Sequence, residues 1–339
     1  MIAGHMPRLA RLIEKDRQFR KRIVRLHIDE AHSIHTAGLE HYGIPAFRPA
    51  WGRLDRLRIK LSKSLTVQAL SGTQPPHIKK KIIEHLLFDE EKLCSIKLSS
   101  NRPNMTYAMH PIVGELSDFR NLDFLIPEPC PPNLQLSKTL LFHDNLNECT
   151  AAALHVKNRL PKELRSKGIV KHYHGGMSKR YLTKVYEDFS NPEGACRILH
   201  ATEGASTVSL IMHQLFSSSE LSRQGLDIPD IEAVVQYGIG RDVPTTLQRG
   251  GRGGRNKSGQ AIFLIMYEPW VMTIDLSTID FPITDPDHPN VEKLTKFSTK
   301  QARTGIAMTR ITQSRKECLR AMFADYLGDD SPDGRLQFL

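Results

Sequence analysis

Apolar and polar positions follow a regular order in the second half of this chain, where short apolar runs alternate with longer segments of helical periodicity. The apolar runs predict strands at 139–142, 169–173 and 197–200, and near Val234 and Phe263. The longer segments predict helices at 145–160 and 178–189, the second behind an N-cap Ser178. Repeated strand–helix units favour a parallel sheet with right-handed crossovers.

The first half shows a similar but less regular pattern. It predicts helices at 7–16 and 75–87 and strands at 22–28 and 66–70. The stretch 95–104 alternates apolar and polar residues and then breaks at Pro103. This pattern predicts a strand that leads into a hinge between two domains.

Three arginines lie among four glycines at 248–255, directly after a Pro-Thr-Thr turn. Arginine is always charged and binds phosphate oxygens through a bidentate fork, and glycine lets the backbone approach a ligand closely. Such a stretch is also typical of disordered RNA-binding segments. Because apolar runs at 232–237 and 260–265 flank it and predict buried strands, we favour a loop between core strands. Its arginines are candidates for neutralising the charge of a transferred γ-phosphate.

The sequence Asp29-Glu30-Ala31-His32 follows the predicted strand 22–28 and matches a Walker B pattern. At the end of a strand, Asp29 could hold Mg²⁺ directly or through water, and Glu30 could polarise an attacking water. Four letters alone would fit a solvated helix surface equally well. The hypothesis therefore depends on their pairing with the arginines of 248–255.

Together these stretches resemble superfamily 2 helicases, and within them the RecQ-like ATP-dependent 3'-5' DNA helicases. Further stretches similar to the family motifs are 71–73 (motif III), 101–104 (entry to the second motor domain), 138–143 (motif IV), 173–178, 202–206 with 225–229 (motif V), and 248–255 (motif VI). The similarity extends from about Arg22 to Leu264. The Gly-rich loop ending in Gly-Lys-Ser/Thr, which binds phosphates in a RecA-like motor, occurs nowhere in the 339 residues.

The resemblance implies an α/β fold of RecA-like P-loop NTPase lobes with parallel sheets, the first lobe truncated and the second complete. It implies three regions: the C-terminal part of an ATP-binding lobe at 1–95, a helicase C-terminal lobe at 96–268, and the incomplete start of a zinc-binding region at 269–339. It also implies ATP and Mg²⁺ as cofactors, single-stranded DNA and duplex junctions as partners, and a nuclear location.

Matching this sequence to the family motifs residue by residue also assigns roles. The implied catalytic residues are Asp29, which is also the Mg²⁺ ligand, Glu30, His32, Arg252 and Arg255. The implied cofactor-binding residues are Gln248, Arg249, Asp227 and Gly225. The implied nucleic-acid-binding residues are Phe47, Arg48, Trp51, Ser71, Thr73, His174 and Thr202. Phe47, Arg48 and Trp51 resemble an aromatic-rich loop that senses single-stranded DNA, where stacking contributes about 1–3 kcal/mol per base. Packing of Trp51 in the core beside Leu54 is an equally good interpretation.

Charge and cysteine content add to this picture. A net charge of +10 and a pI near 9.4 favour a polyanionic partner whose binding weakens with salt. No apolar run is long enough to cross a membrane and no signal-peptide pattern is present, which predicts an intracellular protein. The five cysteines form no CxxC pair. Neither the lone Cys318 nor the histidines between 27 and 41 supply a ligand set, so no zinc site is expected.

Residues 208–224 separate two halves of motif V that are adjacent in the family pattern. Val208-Ser209 can be encoded GTGAGT and Gln224 CAG, so the segment has the ends of a short retained intron; a real surface loop is the alternative.

Two further hypotheses for function stay open. One is a non-catalytic nucleic-acid-binding helicase remnant, which the missing phosphate loop favours. The other is a DEAH-box RNA helicase, which the 47–51 loop and the Cys318 region fit poorly.

Overall fold

The computed structural model describes residues 8–62, 64–131, 135–202, 228, 230–256, 259–280, 285–314 and 317–331. The inserted segment 208–224 and the motif V residues 203–206, Gly225 and Asp227 lie outside the described residues. Across the described ranges, none of the helices combines the length and the apolar character that crossing a membrane requires.

A first lobe, residues 8–92, is built on two parallel strands, β1 (Arg25–Ile28) and β2 (Thr66–Ala69), with Ile28 opposite Ala69. Its helices are α1 (Arg8–Lys15), α2 (Arg17–Arg22), α3 (Ser33–Thr36), α4 (Leu54–Lys60) and α5 (Pro76–His85). The helices and strands predicted between residues 7 and 87 are confirmed. Its small core is the buried cluster Ile28, Ala31, Ile34, Ile78, Ile82 and Leu86, so the i, i+4 apolar stripe of α5 packs against the loop that follows β1.

A second lobe, residues 105–267, contains a six-stranded parallel sheet in the order β3-β8-β7-β4-β6-β5. Its strands are β3 (Met105–Pro111), β4 (Thr139–His143), β5 (Val170–Tyr173), β6 (Ile198–Thr202), β7 (Ala233–Tyr237) and β8 (Ala261–Tyr267). The predicted parallel-sheet α/β class is confirmed. Edge strand β3 was missed, because the apolar pattern there is interrupted by polar residues.

Helices cover both faces of this sheet, as parallel strands require. Successive residues of β4 point to opposite faces, so Leu140 and Phe142 join one buried cluster and Leu141 joins another. The helices are α6 (Leu146–Arg159), α7 (Lys179–Ser190) and α8 (Val243–Gly250). The predicted cap at Ser178 is present, since its hydroxyl accepts a hydrogen bond from the Tyr181 amide at 3.3 Å.

The C-terminal segment, residues 269–331, packs onto the second lobe. Its helices are α9 (Lys300–Arg303), α10 (Ile306–Gln313) and α11 (Leu319–Leu327). Met308 on α10 and Phe323 on α11 are buried in the same cluster as Phe142 of β4. The second lobe therefore depends on this segment for part of its core. The boundaries at 95/96 and 268/269 stay predictions.

Two predicted elements differ from the structure. The linker, residues 93–104, contains no strand, and its apolar residues Ile96 and Leu98 are each 83% exposed. Alternation alone misleads there because neither face of the segment meets a core. The second difference is at 243–250, predicted as a turn and loop, where α8 begins instead behind Asp242, whose side chain accepts a hydrogen bond from Thr245 N.

Candidate functional site

The acidic pair Asp29 and Glu30 lies directly after the carboxyl end of β1, the position at which ligands bind in open α/β sheets. Glu30 has a left-handed backbone, with φ of 50°, and its amide donates a hydrogen bond to Asp29 Oδ1 at 2.9 Å. This turn orients both carboxylates beyond the strand. A non-glycine residue in this conformation is uncommon and often marks a functional position.

His32 connects this turn to two other predicted motifs. Its Nδ1 lies 2.9 Å from Ser71 Oγ, and its Nε2 lies 2.6 Å from the side-chain amide of Gln248 on α8. Glu30 Oε2 is 3.4 Å from the same Nδ1. His32 is therefore one direct hydrogen-bonded contact between the first lobe and the arginine–glycine stretch of the second.

The hydrogen-bond pattern assigns the tautomer of His32. Ser71 Oγ donates its one proton to the Thr73 carbonyl at 3.0 Å, so it must accept a hydrogen bond from His32 Nδ1. The other ring nitrogen then has a free lone pair and accepts from Gln248. Burial lowers the pKa of His32 to about 4, which keeps the ring neutral and preserves this arrangement at neutral pH.

Arg252 and Arg255 follow α8 and bring positive charge to the acidic turn. Burial raises the pKa of Glu30 and the neighbouring Asp29 carboxylate raises it further, whereas Arg252 and Arg255 act in the opposite direction. The two guanidiniums are therefore close enough to the turn to be felt electrostatically. The structure brings together the catalytic residues that the sequence predicted: Asp29, Glu30, His32, Arg252 and Arg255.

The loop that carries these arginines is held by linker residues whose role the sequence did not predict. The Arg102 guanidinium donates to the carbonyl oxygens of Gly253 and Gly254 at 2.8 and 3.0 Å. Asn104 donates to the Gly254 carbonyl at 2.6 Å. These residues were noted only as an entry to the second domain, and no local pattern reveals partners 150 residues away.

A glycine of the stretch serves packing rather than ligand approach. A Cβ at Gly250 would come within 2.4 Å of the Phe263 ring on β8. The end of α8 therefore lies directly on the sheet. This close contact fixes where the helix ends and where the loop with Arg252 begins.

Arg249, predicted to bind the cofactor, is turned away from the acidic turn. It is only 3% exposed, and its guanidinium lies 3.1 Å from Asp144 Oδ1 and 2.6 Å from Gln236 Oε1. It also lies over the Phe142 ring. The prediction treated 248–255 as a loop, but helical geometry at Arg249 directs the side chain into the second lobe.

The predicted aromatic loop divides into two parts. Phe47 is 80% exposed and Arg48 lies over its ring, 5.4 Å from the centroid. Trp51 instead packs against the first-lobe core together with Leu54. The structure therefore agrees with the interpretation that Trp51 packs against the core, whereas the exposed ring of Phe47 is available for stacking.

The remaining predicted nucleic-acid residues occupy different places. Ser71 and Thr73 follow β2 and belong to the His32 network. His174 follows β5 but is buried, bonded to Thr150 Oγ1 at 3.1 Å, and Thr202 ends β6. His174 thus has an internal partner in the second lobe.

A Mg²⁺–nucleotide fits the charges of this site. Two carboxylates of the first lobe lie within electrostatic range of two arginines of the second, so a metal ion and an anionic phosphate chain would each find a partner of opposite charge. Asp29 would hold Mg²⁺, and Arg252 and Arg255 would bind phosphate oxygens. His32, which is hydrogen-bonded to Ser71, would bond to Gln248 only when the two sides are in contact.

Comparisons with known proteins find similarity to helicases. Residues 132–257 match the model of the helicase conserved C-terminal domain. The DEAD-box ATP-dependent RNA helicase 25 of Oryza sativa subsp. japonica is 26% identical over 49% of this chain and 24% of its own length. The ATP-dependent helicase wrn-1 of Caenorhabditis elegans is 24% identical over 81% of this chain and 22% of its own length.

Among solved structures, that of Mss116p bound to ssRNA and AMP-PNP has 16% identity and a TM-score of 0.49, covering 78% of this chain and 47% of that one. The chain thus spans about a quarter of the curated relatives named here. The family model and the parallel sheet together identify the second lobe as a RecA-like helicase C-terminal lobe and support a relationship to superfamily 2 helicases.

Proposed function

We propose that this chain is an ATP-dependent 3'-5' DNA helicase of RecQ-like type, with ATP and Mg²⁺ bound between the first and second lobes. The observation that carries the proposal is the contact of His32 with both Ser71 and Gln248. It joins the acidic turn, the segment after β2 and the arginine loop in one hydrogen-bonded unit. A purely structural pair of lobes would not need these three motifs to converge.

Each residue has a defined task in this proposal. Asp29 holds the metal ion, and Glu30 accepts a proton from the attacking water; its pKa, raised by burial, suits a general base better than a fully solvated carboxylate. Arg252 and Arg255 stabilise charge on the transferred phosphoryl group. ATP hydrolysis would supply the free energy for unwinding, and the hydrogen bond of His32 with Gln248 would connect the two lobes.

The choice of DNA, the 3'-5' polarity and a nuclear location rest on the resemblance to RecQ-like enzymes. The wrn-1 match, which covers 81% of this chain, supports the general helicase assignment. Several other relatives are named as RNA helicases, so RNA is the competing substrate. The exposed Phe47 with Arg48 could stack on bases of either nucleic acid.

ATP hydrolysis by the full chain, measured alone and with single-stranded DNA or RNA of the same sequence, tests the proposal. We expect hydrolysis that DNA stimulates more than RNA, and a fall of about 100-fold or more in Glu30→Gln, because a general base is lost. Glu40→Gln, an exposed carboxylate of the same lobe, is the matched control and should hydrolyse ATP normally. Stimulation by RNA alone would contradict the RecQ-like assignment.

The second candidate is a non-catalytic nucleic-acid-binding protein. The lack of a Gly-Lys-Ser/Thr loop in these residues favours it, since that loop binds nucleotide phosphates in RecA-like motors. It predicts salt-sensitive binding of single strands with no ATP hydrolysis in either the unmodified chain or the Glu30→Gln variant. That result would replace the enzymatic proposal.

A further inference from the structure

We propose that His35, His77 and Asp285 bind a divalent transition metal ion, zinc by ligand preference, with Asp287 completing the site. The ligands come from α3 and α5 of the first lobe and from the C-terminal segment. This site is separate from the acidic turn and does not depend on the proposed ATP chemistry. Its role would be to fasten the first lobe to the C-terminal segment.

The candidate ligand atoms of His35, His77 and Asp285 lie within 4.8 Å of one another, close enough to share one ion. His35 Nε2 lies 3.3 Å from Asp285 Oδ2, and His77 Nε2 lies 3.3 Å from Asp285 Oδ1. Bonds of about 2.0–2.1 Å in a tetrahedral zinc site place neighbouring ligand atoms about 3.3 Å apart, and each histidine nitrogen shows this separation from a different oxygen of Asp285. A charge-assisted hydrogen bond would be shorter, about 2.7–2.9 Å.

Asp287 occupies a fourth position. Its Oδ2 is also 3.3 Å from His77 Nε2. Although that nitrogen has two carboxylates within reach, it is buried and makes no hydrogen bond to any group in the described ranges. An unsatisfied buried ring nitrogen is costly, and a metal ion between these atoms would satisfy it.

The surroundings provide room and charge for a cation. A cavity of about 40 Å³, large enough for an ion or a water, is lined by His35, Asp285 and Asp287. Arg241 and Arg303 also line it, and His77 lies outside its lining. Arg241 lies 3.9 Å from Asp242, and the Arg303 guanidinium donates to the carbonyls of Ser298 and Thr295 at 2.9 and 2.8 Å. Within the described part of the chain, the ion pairs of Asp285 and Asp287 are with histidines alone.

Both carboxylates have partners that fix their orientation, as ligands of a metal usually do. The Tyr42 hydroxyl donates to Asp285 Oδ2 at 2.6 Å. The Tyr326 hydroxyl donates to Asp287 Oδ2. The Asp287 amide donates to Asp285 Oδ1 at 2.8 Å, closing the Asp-Pro-Asp turn. Two histidines and two carboxylates form a ligand set that zinc accepts.

The sequence did not point to this site, because its ligands are far apart along the chain. The expectation of no zinc site considered the cysteines and the histidines between 27 and 41, which are close in sequence. The three principal ligands are instead 42 and 208 residues apart, counting from 35 to 77 and from 77 to 285. Only the folded chain brings them together.

The test is titration of the purified, EDTA-treated full chain with Co²⁺, whose visible spectrum reports tetrahedral coordination. We expect one equivalent to bind with a tetrahedral spectrum, and Zn²⁺ to displace it. In His77→Ala and Asp285→Asn we expect at least a tenfold loss of affinity, typical of a site that loses a ligand or its support. His155→Ala removes a His–Asp pair elsewhere, with Nε2 2.8 Å from Asp123 Oδ1, and should bind normally.

Far-ultraviolet circular dichroism of each variant separates loss of metal from loss of fold. An absence of tetrahedral Co²⁺ binding by the unmodified chain would overturn the proposal. Binding that persists unchanged in both variants would also overturn it. Asp29→Asn should keep full Co²⁺ affinity, since its carboxylate belongs to the other site. Failure of ATP hydrolysis therefore leaves this result unaffected.

Discussion

Two buried histidines, His143 on β4 and His200 on β6, show how single residues set the acid stability of the second lobe. His143 Nε2 lies 2.9 Å from His200 Nδ1, and both side chains are fully buried. Burial lowers the pKa of His143 to about 3 and the pKa of His200 well below its usual value. The folded protein therefore keeps both rings neutral.

The unfolded chain takes up these protons near pH 6.5, so the folded state loses stability as the pH falls from 6.5 towards about 3. Above pH 6.5 the contribution of the pair is complete. We expect the free energy of unfolding, measured by urea titration, to fall on acidification by on the order of a few kcal/mol. In His143→Asn this pH dependence should be shallower.

His110→Asn, which changes an exposed histidine on β3, is the control and should retain the full pH dependence. Equal curves for His143→Asn and the unmodified chain would show that acid acts elsewhere.

The same contrast of burial separates Arg249 from Arg252 and Arg255. Neighbouring arginines of one motif differ in role because the helix directs one into the lobe.

At the scale of elements, the linker and the arginine loop behave as one part. Arg102 donates to the carbonyls of Gly251, Gly253 and Gly254. Arg102→Lys keeps the charge but cannot span three carbonyls with a single ammonium group. We expect faster amide hydrogen exchange at 250–256 in this variant, measured by mass spectrometry.

Arg120→Lys is the matched control, because Arg120 is an exposed arginine whose ion pair with Asp118 lies far along the chain from the loop. It should leave exchange at 250–256 unchanged. If Arg102→Lys also had no effect, contacts other than those of Arg102 would hold the loop, such as the hydrogen bond from Asn104 to Gly254 and the packing of Gly250 on the sheet.

The sequence predicted the elements whose pattern is local and periodic, which is why β4 to β8, α6 and α7 are confirmed within a few residues. It missed α8, because the Pro-Thr-Thr segment was interpreted as a turn and the glycine-rich stretch after it as a loop, so the N-cap at Asp242 was not recognised. The acidic turn and arginine loop were paired from their chemistry, as opposite halves of a nucleotide site, and the structure places them near each other. Arg102, Asn104 and the His35–Asp285 cluster were missed because their partners are distant in sequence.

For the whole molecule, the net charge of +10 should dominate nucleic-acid binding. Contact with about three phosphates of a single strand would lower the association constant roughly 20-fold between about 50 and about 200 mM salt. Fluorescence anisotropy with a labelled oligonucleotide at several salt concentrations measures this slope. Affinity independent of salt would contradict phosphate-backbone binding.

Phe47→Ala separates stacking from charge in the same measurement. Removing this exposed ring should weaken binding by about 1–3 kcal/mol while the salt slope stays the same. Phe297→Ala, which removes another exposed phenylalanine in the C-terminal segment, is the control. Equal losses in the two variants would show that Phe47 has no special contact with bases.

The contact between the linker and the end of α11 has a consequence for how the chain is made. Ser100 N donates to Asp329 Oδ2 at 2.6 Å, and Lys97 Nζ donates to the Leu327 carbonyl at 2.7 Å. These partners are about 230 residues apart, so neither bond can form until residue 329 has emerged from the ribosome. The linker bonds to the end of α11 therefore form late in synthesis, after the residues of both lobes have been made.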